Sequence, residues 1–230
     1  MGRKDTSAIP SQHFASCDMP NKILEIHHAL FAHFGPQHWW PGDSPFEVMV
    51  GAVLTQNTNW TNVSRAISNL KEADLLSFNK LHALDAGALA DLIRPAGYYN
   101  LKAGRLKNLL DFIAGEYGGS LTDLFGTDLH SLREQLLTVR GIGPETADSI
   151  LLYAAGKPVF VVDAYTYRIL LRHDLVAEEA RYDEIQELFT DSLPEDVQLY
   201  NEYHALLVRL GKEYCKKNRP ACETCPVKDI

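Results

Sequence analysis

The chain has 230 residues, 46% apolar and 23% charged, enough for one large domain or two small ones in a soluble globular protein. Its longest apolar stretches, such as Val48–Leu54, are about a third of a membrane-spanning helix. The N-terminus, Met1-Gly2-Arg3-Lys4-Asp5-Thr6, lacks the apolar core of a secretory signal, so a cytoplasmic protein is expected. The net charge of −8 is local: nine acids and one Arg fall between Asp174 and Asp196, and the remainder balances at 21 of each sign. That excludes a nonspecific polycation but leaves room for a basic face. Lys102, Arg105 and Lys107 form one basic cluster, and Arg209, Lys212, Lys216, Lys217 and Arg219 another. Either is a solvated helix face or a set of phosphate contacts.

In chain order, Ile23, Ile26, Leu30, Phe31 and Phe34 form a helical stripe ended by Gly35-Pro36. Helices are expected at about 21–34, 45–57, 59–71, 86–94, 99–117, 129–138, 144–155, 163–173, 181–192 and 197–217, with Gly or Pro at most of the breaks. Only Val159-Phe160-Val161-Val162 has strand character, and one strand makes no sheet. The fold is therefore read as all-α. Residues 1–19, with a lone Cys17, read as a loose tail.

The segment Leu136-Leu137-Thr138-Val139-Arg140-Gly141-Ile142-Gly143-Pro144-Glu145 is the most informative. A helix ends, a Gly-x-Gly turn follows, and Pro144 opens the next helix at a position that suits proline. Glycines allow close approach to the main chain, and free N–H groups at a helix start can hold phosphate. Ile142 would pack inward and lock the turn. A plain αα-turn would show the same Gly-x-Gly. Further on, Asp163 follows four apolar residues at a helix start, as an N-cap, a catalytic carboxylate or both. Cys215, Cys222 and Cys225 are spaced C-x6-C-x2-C after a basic helix end, and three clustered cysteines cannot pair off evenly. The histidines, His27, His173 and His204 among them, show no metal-ligand spacing with carboxylates and read as surface or satisfied interior residues.

Hairpin, Gly156/Pro158 loop and Asp163 together resemble the helix-hairpin-helix, Gly/Pro, Asp superfamily of DNA glycosylases, of which endonuclease III is the familiar member. Leu54-Thr55-Gln56-Asn57-Thr58 resembles the segment whose Gln enters the space left by a flipped base. Gly97-Tyr98-Tyr99-Asn100-Leu101-Lys102-Ala103 resembles another family segment, with Tyr98 where the family places a wedge against the opposite strand. The likeness runs in order from about residue 23 to the C-terminus.

Two departures from endonuclease III matter. Bifunctional members place a Lys two residues after the second hairpin Gly, whose amine forms a Schiff base with the sugar. Here that residue is Glu145, which leaves hydrolysis with Asp163 polarising a water or stabilising the cationic sugar. Trp39-Trp40-Pro41, Trp60, Glu145 and Asp148 are similar to the 3-methyladenine glycosylases of the same superfamily. By that likeness Trp40 and Trp60 flank the flipped base, with Trp39, Pro41 and Glu145 at the pocket. Stacked aromatic faces suit a cationic alkylated purine, although tryptophans also serve as core filler.

The cysteine spacing resembles the first three ligands of the family's [4Fe–4S] loop, and the fourth would fall at position 231, one past Ile230. A structural cluster on Cys215, Cys222 and Cys225 is expected, with its fourth ligand absent from this chain and no nucleotide cofactor.

The resemblance implies a two-lobed helical glycosylase fold. Residues 37–157 would form a helical barrel carrying the hairpin (129–155). Residues 20–36 and 158–230 would form the second lobe with the cysteine loop (215–225). The expected function is a monofunctional glycosylase excising alkylated purines from damaged double-stranded DNA, acting as a monomer away from any membrane. DNA would be held by Gly141, Ile142, Gly143, Gln56, Tyr98, Lys102, Lys216 and Lys217. The alternatives are a glycosylase/lyase of the endonuclease III type on oxidised pyrimidines and a non-catalytic DNA-binding module.

Overall fold

The computed structural model describes residues 21–39 and 42–230. The proposed tail with Cys17, and Trp40 and Pro41, lie outside the described residues. Among the described residues there are helices and no strand. The α-helices are α1 (Lys22–Phe34), α2 (Pro45–Leu54), α3 (Trp60–Glu72), α4 (Phe78–Ala83), α5 (Ala86–Leu92), α6 (Tyr99–Tyr117), α7 (Leu121–Gly126), α8 (Leu129–Thr138), α9 (Pro144–Ser149), α10 (Ala164–Arg172), α11 (Tyr182–Ser192) and α12 (Val197–Glu213).

The central element is α2. Ser44 caps it by accepting from Glu47 N, Pro45 opens it, and every residue from Phe46 to Leu54 is buried. A helix apolar on all sides belongs inside other helices, and α2 packs on α3, α6 and α9. At its end the buried Lys102 of α6 donates to Leu54 O (2.8 Å) and to Ala96 O (2.7 Å). One ammonium thus satisfies carbonyls at the ends of two helical segments.

A second group of helices forms where α12 packs on α10 and α1, with α11 against α1. The groups meet at Ile150–Ala154, which is wound as a π-turn and contacts α2, α8 and α12. The helix expected over 144–155 therefore changes its winding after Ser149, as π-segments do at functional sites.

The apolar run Val159–Val162 is an extended buried strap with no strand partner. Side chains satisfy part of its backbone: Gln186 donates to Phe160 O (2.6 Å), and the Tyr182 hydroxyl accepts from Val162 N (3.3 Å). The Phe160 ring stacks on Phe189 at 3.8 Å. The short α4 and α7, six residues each, have too few turns to show a period. The last helix stops at Glu213, not 217, because Cys215 N turns back to Leu210 O (2.8 Å).

Candidate active site

The strap delivers Asp163 to the start of α10, at one wall of a cleft of about 1190 Å³. Its Oδ1 accepts from Thr166 N (2.7 Å) and Thr166 Oγ1 (2.9 Å), the N-cap bonds. Its Oδ2 is left facing the cleft and stands 3.6 Å from Nε2 of His204 in α12. Capping thus occupies one oxygen of the carboxylate and leaves the other uncommitted. Burial alone would raise the Asp163 pKa, but His204 and Thr166 outweigh it, and the carboxyl sits below its ordinary value.

Close helix packing makes this meeting possible. The Tyr165 ring of α10 lies against the backbone of α12 at Gly211, where a Cβ would come within 2.3 Å of the ring. Arg168 fastens the same contact by donating to Cys215 O (2.8 Å) and Gly211 O (3.3 Å).

Glu145 lines the same cleft from the first turn of α9. The surrounding walls and the charge of Asp163 push its carboxyl up to about 7, with His204 pulling the other way. Because the residue is open to the cleft, water screens part of that rise. Trp39 and Trp60 also line the cleft, and the Lys212 ammonium lies 5.7 Å above the Trp39 ring. Asp148, which shares in the resemblance to the 3-methyladenine glycosylases, is fully buried and held by Arg133, Tyr182 and Gln186 in the protein interior.

Gln56 pins the hairpin to the end of α2, donating to Gly141 O (3.1 Å) and Thr146 Oγ1 (2.9 Å) while Arg105 donates to its Oε1 (2.5 Å). Gly141 has φ +98°, and a Cβ there would meet Arg105 Cγ at 2.4 Å. Ile142 packs inward, as its apolar side chain suggests, but its N–H donates to Val139 O (3.0 Å). That amide is consumed by the turn, which corrects the expectation of three free amides. Those of Gly141 and Gly143 have no partner among the described residues. Tyr98 stands out at 71% exposed on a left-handed backbone, φ +46°. Lys102 is a correction: 1% exposed and bound to two carbonyls, it is a buried strut with no face towards DNA. Burial and the nearby Arg105 lower its pKa to about 8. Lys216 and Lys217 are exposed at the rim of the cleft.

Cys215, Cys222 and Cys225 line a separate cavity of about 160 Å³ together with His173. Arg172 donates to Cys215 Sγ (3.2 Å). Among the described residues no three His, Cys, Asp or Glu side chains gather around a single-ion site.

Sequence reasoning passed over two groups. The His204 Nδ1 is hydrogen-bonded to the Tyr153 hydroxyl, and its buried Nε2 has no hydrogen-bond partner among the described residues. Tyr153 sits on the π-turn. A signal existed: His204 follows Tyr200 and Tyr203 on the buried stripe of α12, and a polar residue inside an apolar stripe calls for a partner.

The sequence profile of the HhH-GPD superfamily base excision DNA repair proteins matches residues 50–195. A Methanocaldococcus jannaschii protein with the provisional name of a DNA repair glycosylase is 50% identical over 210 residues, 90% of this chain and 94% of its own. The crystal structure of the Helicobacter pylori 3-methyladenine DNA glycosylase MagIII, bound to 1,N6-ethenoadenine, is 34% identical, with a TM-score of 0.73 over 83% of this chain and 97% of that one. A trapped endonuclease III–DNA covalent intermediate shares the fold at 22% identity, with a TM-score of 0.77 over 90% and 92% of the two chains. The chain belongs to the HhH-GPD superfamily of base excision DNA repair proteins and is a DNA N-glycosylase.

Proposed function

We propose that the enzyme is a monofunctional glycosylase that removes alkylated purines from duplex DNA. The observation that carries this reading is the pairing across the cleft of two carboxylates, Asp163 and Glu145, with Glu145 at the hairpin position where a lyase needs an amine. Trp39 and Trp60 in the same cleft offer faces to a flipped cationic base, and Trp40 and Pro41 belong to the same proposed pocket. The similarity to a 3-methyladenine glycosylase at 34% identity supports the same substrate class.

In this reading the N-glycosidic bond breaks heterolytically. Its electron pair leaves with the purine and neutralises the alkyl-induced positive charge, so little acid catalysis is needed. Asp163, ionised, stabilises the sugar cation; water adds at C1′ and gives up its proton to the Asp163 carboxylate, leaving an abasic site. The Gly141 and Gly143 amides and Lys216 and Lys217 hold phosphates, with Gln56 and Tyr98 at the gap left by the flipped nucleotide. The cavity between Cys215, Cys222 and Cys225 offers a thiol donor set that suits an iron–sulfur cluster, which would brace the loop carrying Lys216 and Lys217.

The test is base release from duplex DNA carrying methylated purines, with strand breaks scored before and after alkali. Release with breaks only after alkali is expected. Breaks without alkali, together with a borohydride-trapped adduct, would overturn the hydrolytic reading and point to one of the lysines lining the cleft, Lys212, Lys216 or Lys217. Asp163→Asn should abolish release, by about 10³-fold or more, with DNA binding equal or tighter.

A further inference from the structure

The cleft holds a chain of buried groups that hydrolysis by Asp163 alone does not require. We propose that His204 is a positioning residue for Asp163: Tyr153 fixes the imidazole tautomer, and His204 in turn holds the Asp163 carboxylate ionised and aimed into the cleft. The proposal rests on the glycosylase reading above for its purpose, and on geometry for its content.

The argument runs outward from Tyr153. Burial, followed by the nearby negative charge of Asp163, pushes its phenol well above the ordinary tyrosine value, with the Trp39 indole opposing part of the rise. Tyr153 is therefore a neutral phenol at working pH, and we assign its hydroxyl as the donor to the His204 Nδ1 that it contacts. With Nδ1 accepting from Tyr153, the ring proton sits on Nε2. That Nε2 is buried without a hydrogen-bond partner among the described residues and stands 3.6 Å from Asp163 Oδ2. The gap is longer than a hydrogen bond, and Oδ2 is the one carboxylate oxygen that capping leaves uncommitted. An unpartnered buried donor is costly, and here it is spent on the residue that must remain an anion.

The elements around Asp163 each supply an ionisable group. Glu145 comes from α9, Tyr153 from the π-turn and His204 from α12. Arg168 of α10 is drawn away to the Cys215 and Gly211 carbonyls, and Lys212 to the Trp39 face. The charge of Asp163 raises the Glu145 carboxyl, and His204 is the side chain from another element that lowers that of Asp163.

The experiment is a titration of the Asp163 carboxyl by carbon-13 NMR in the DNA-free full-length protein, assigned through Asp163→Asn. It is made in the wild type and in His204→Leu, His204→Gln and Tyr153→Phe, with base-release rates against pH recorded in parallel. Loss of a favourable donor raises a carboxylate pKa. His204→Leu should therefore move the midpoint up by about one unit, equivalent to a tenfold change in proton affinity, and move the acid limb of the rate profile by the same amount. His204→Gln, which keeps an N–H at the Nε2 position, should restore most of both shifts, and Tyr153→Phe should produce an intermediate one. A midpoint unmoved in folded His204→Leu, or in Tyr153→Phe should the leucine variant fail to fold, would overturn the proposal. A midpoint that moves while the wild type releases no alkylated purine would uphold the positioning role and sink the substrate reading instead.

Discussion

Glu145 holds its place in the cleft against its own electrostatics. The folded state raises its pKa from the ordinary glutamate value to about 7, through burial first and the charge of Asp163 second. A raised carboxyl binds its proton more tightly folded than unfolded. Stability is therefore undiminished below the unfolded value, near 4.3, and falls as pH rises towards 7 and Glu145 must ionise beside Asp163. Glu145→Gln removes the penalty. It should raise Tm at pH 8, with the gain shrinking to nothing near pH 4, as followed by calorimetry across that range. An equal gain at both ends would mean that the glutamine merely packs better. Under the proposed function, a second carboxylate at the head of the hairpin helix would favour a cationic purine and the sugar cation that follows it.

At the scale of elements, the hairpin rests on a backbone that only glycine takes up readily. Gly141 at φ +98° also lies against the aliphatic part of Arg105, whose guanidinium is held by Gln56. Gly141→Ala must strain the backbone, costing about 1–3 kcal/mol, and push Arg105 off Gln56. The expected outcome is a lower urea midpoint together with weaker DNA binding at low salt and a shallower salt dependence, read by fluorescence anisotropy. Binding that kept the wild-type salt slope would show that the hairpin does not grip phosphate.

This element was largely legible in the sequence, because Gly-x-Gly-Pro allows few other conformations. Asp163 was legible as both cap and candidate catalyst for a similar reason, its place after an apolar run. Lys102 was misread because its basic neighbours suggested a surface, whereas its ammonium crosses 48 residues of sequence to reach Leu54 O. The Tyr153–His204–Asp163 chain was invisible for the same reason: it needs the π-turn and the close approach at Gly211, and neither leaves a local pattern.

The whole molecule depends on joining its two groups of helices so that the cleft between Glu145 and Asp163 keeps its width. Asp148, fully buried on α9, receives Arg133 of α8 at 2.7 and 3.1 Å and Tyr182 and Gln186 of α11 at 2.8 Å each. One carboxylate therefore ties the hairpin helices to the C-terminal group. Tyr182 and Gln186 also hold the strap at Val162 and Phe160, which leads directly to Asp163. Removing one partner of a buried pair leaves the other charge unsatisfied, at a cost of about 3–5 kcal/mol. That is a large part of the roughly 5–15 kcal/mol that holds a domain folded. Asp148→Ala should lose stability of that order in urea titration, and its base release should fall even where the protein remains folded. The exposed pair Asp91–Arg94, with side chains 70% and 63% accessible, gives the contrast, since Asp91→Ala should cost no more than about 1 kcal/mol. Equal losses in the two variants would mean that Asp148 is not the tie. A loss confined to stability, with full activity in the folded fraction, would mean that the width of the cleft is set elsewhere.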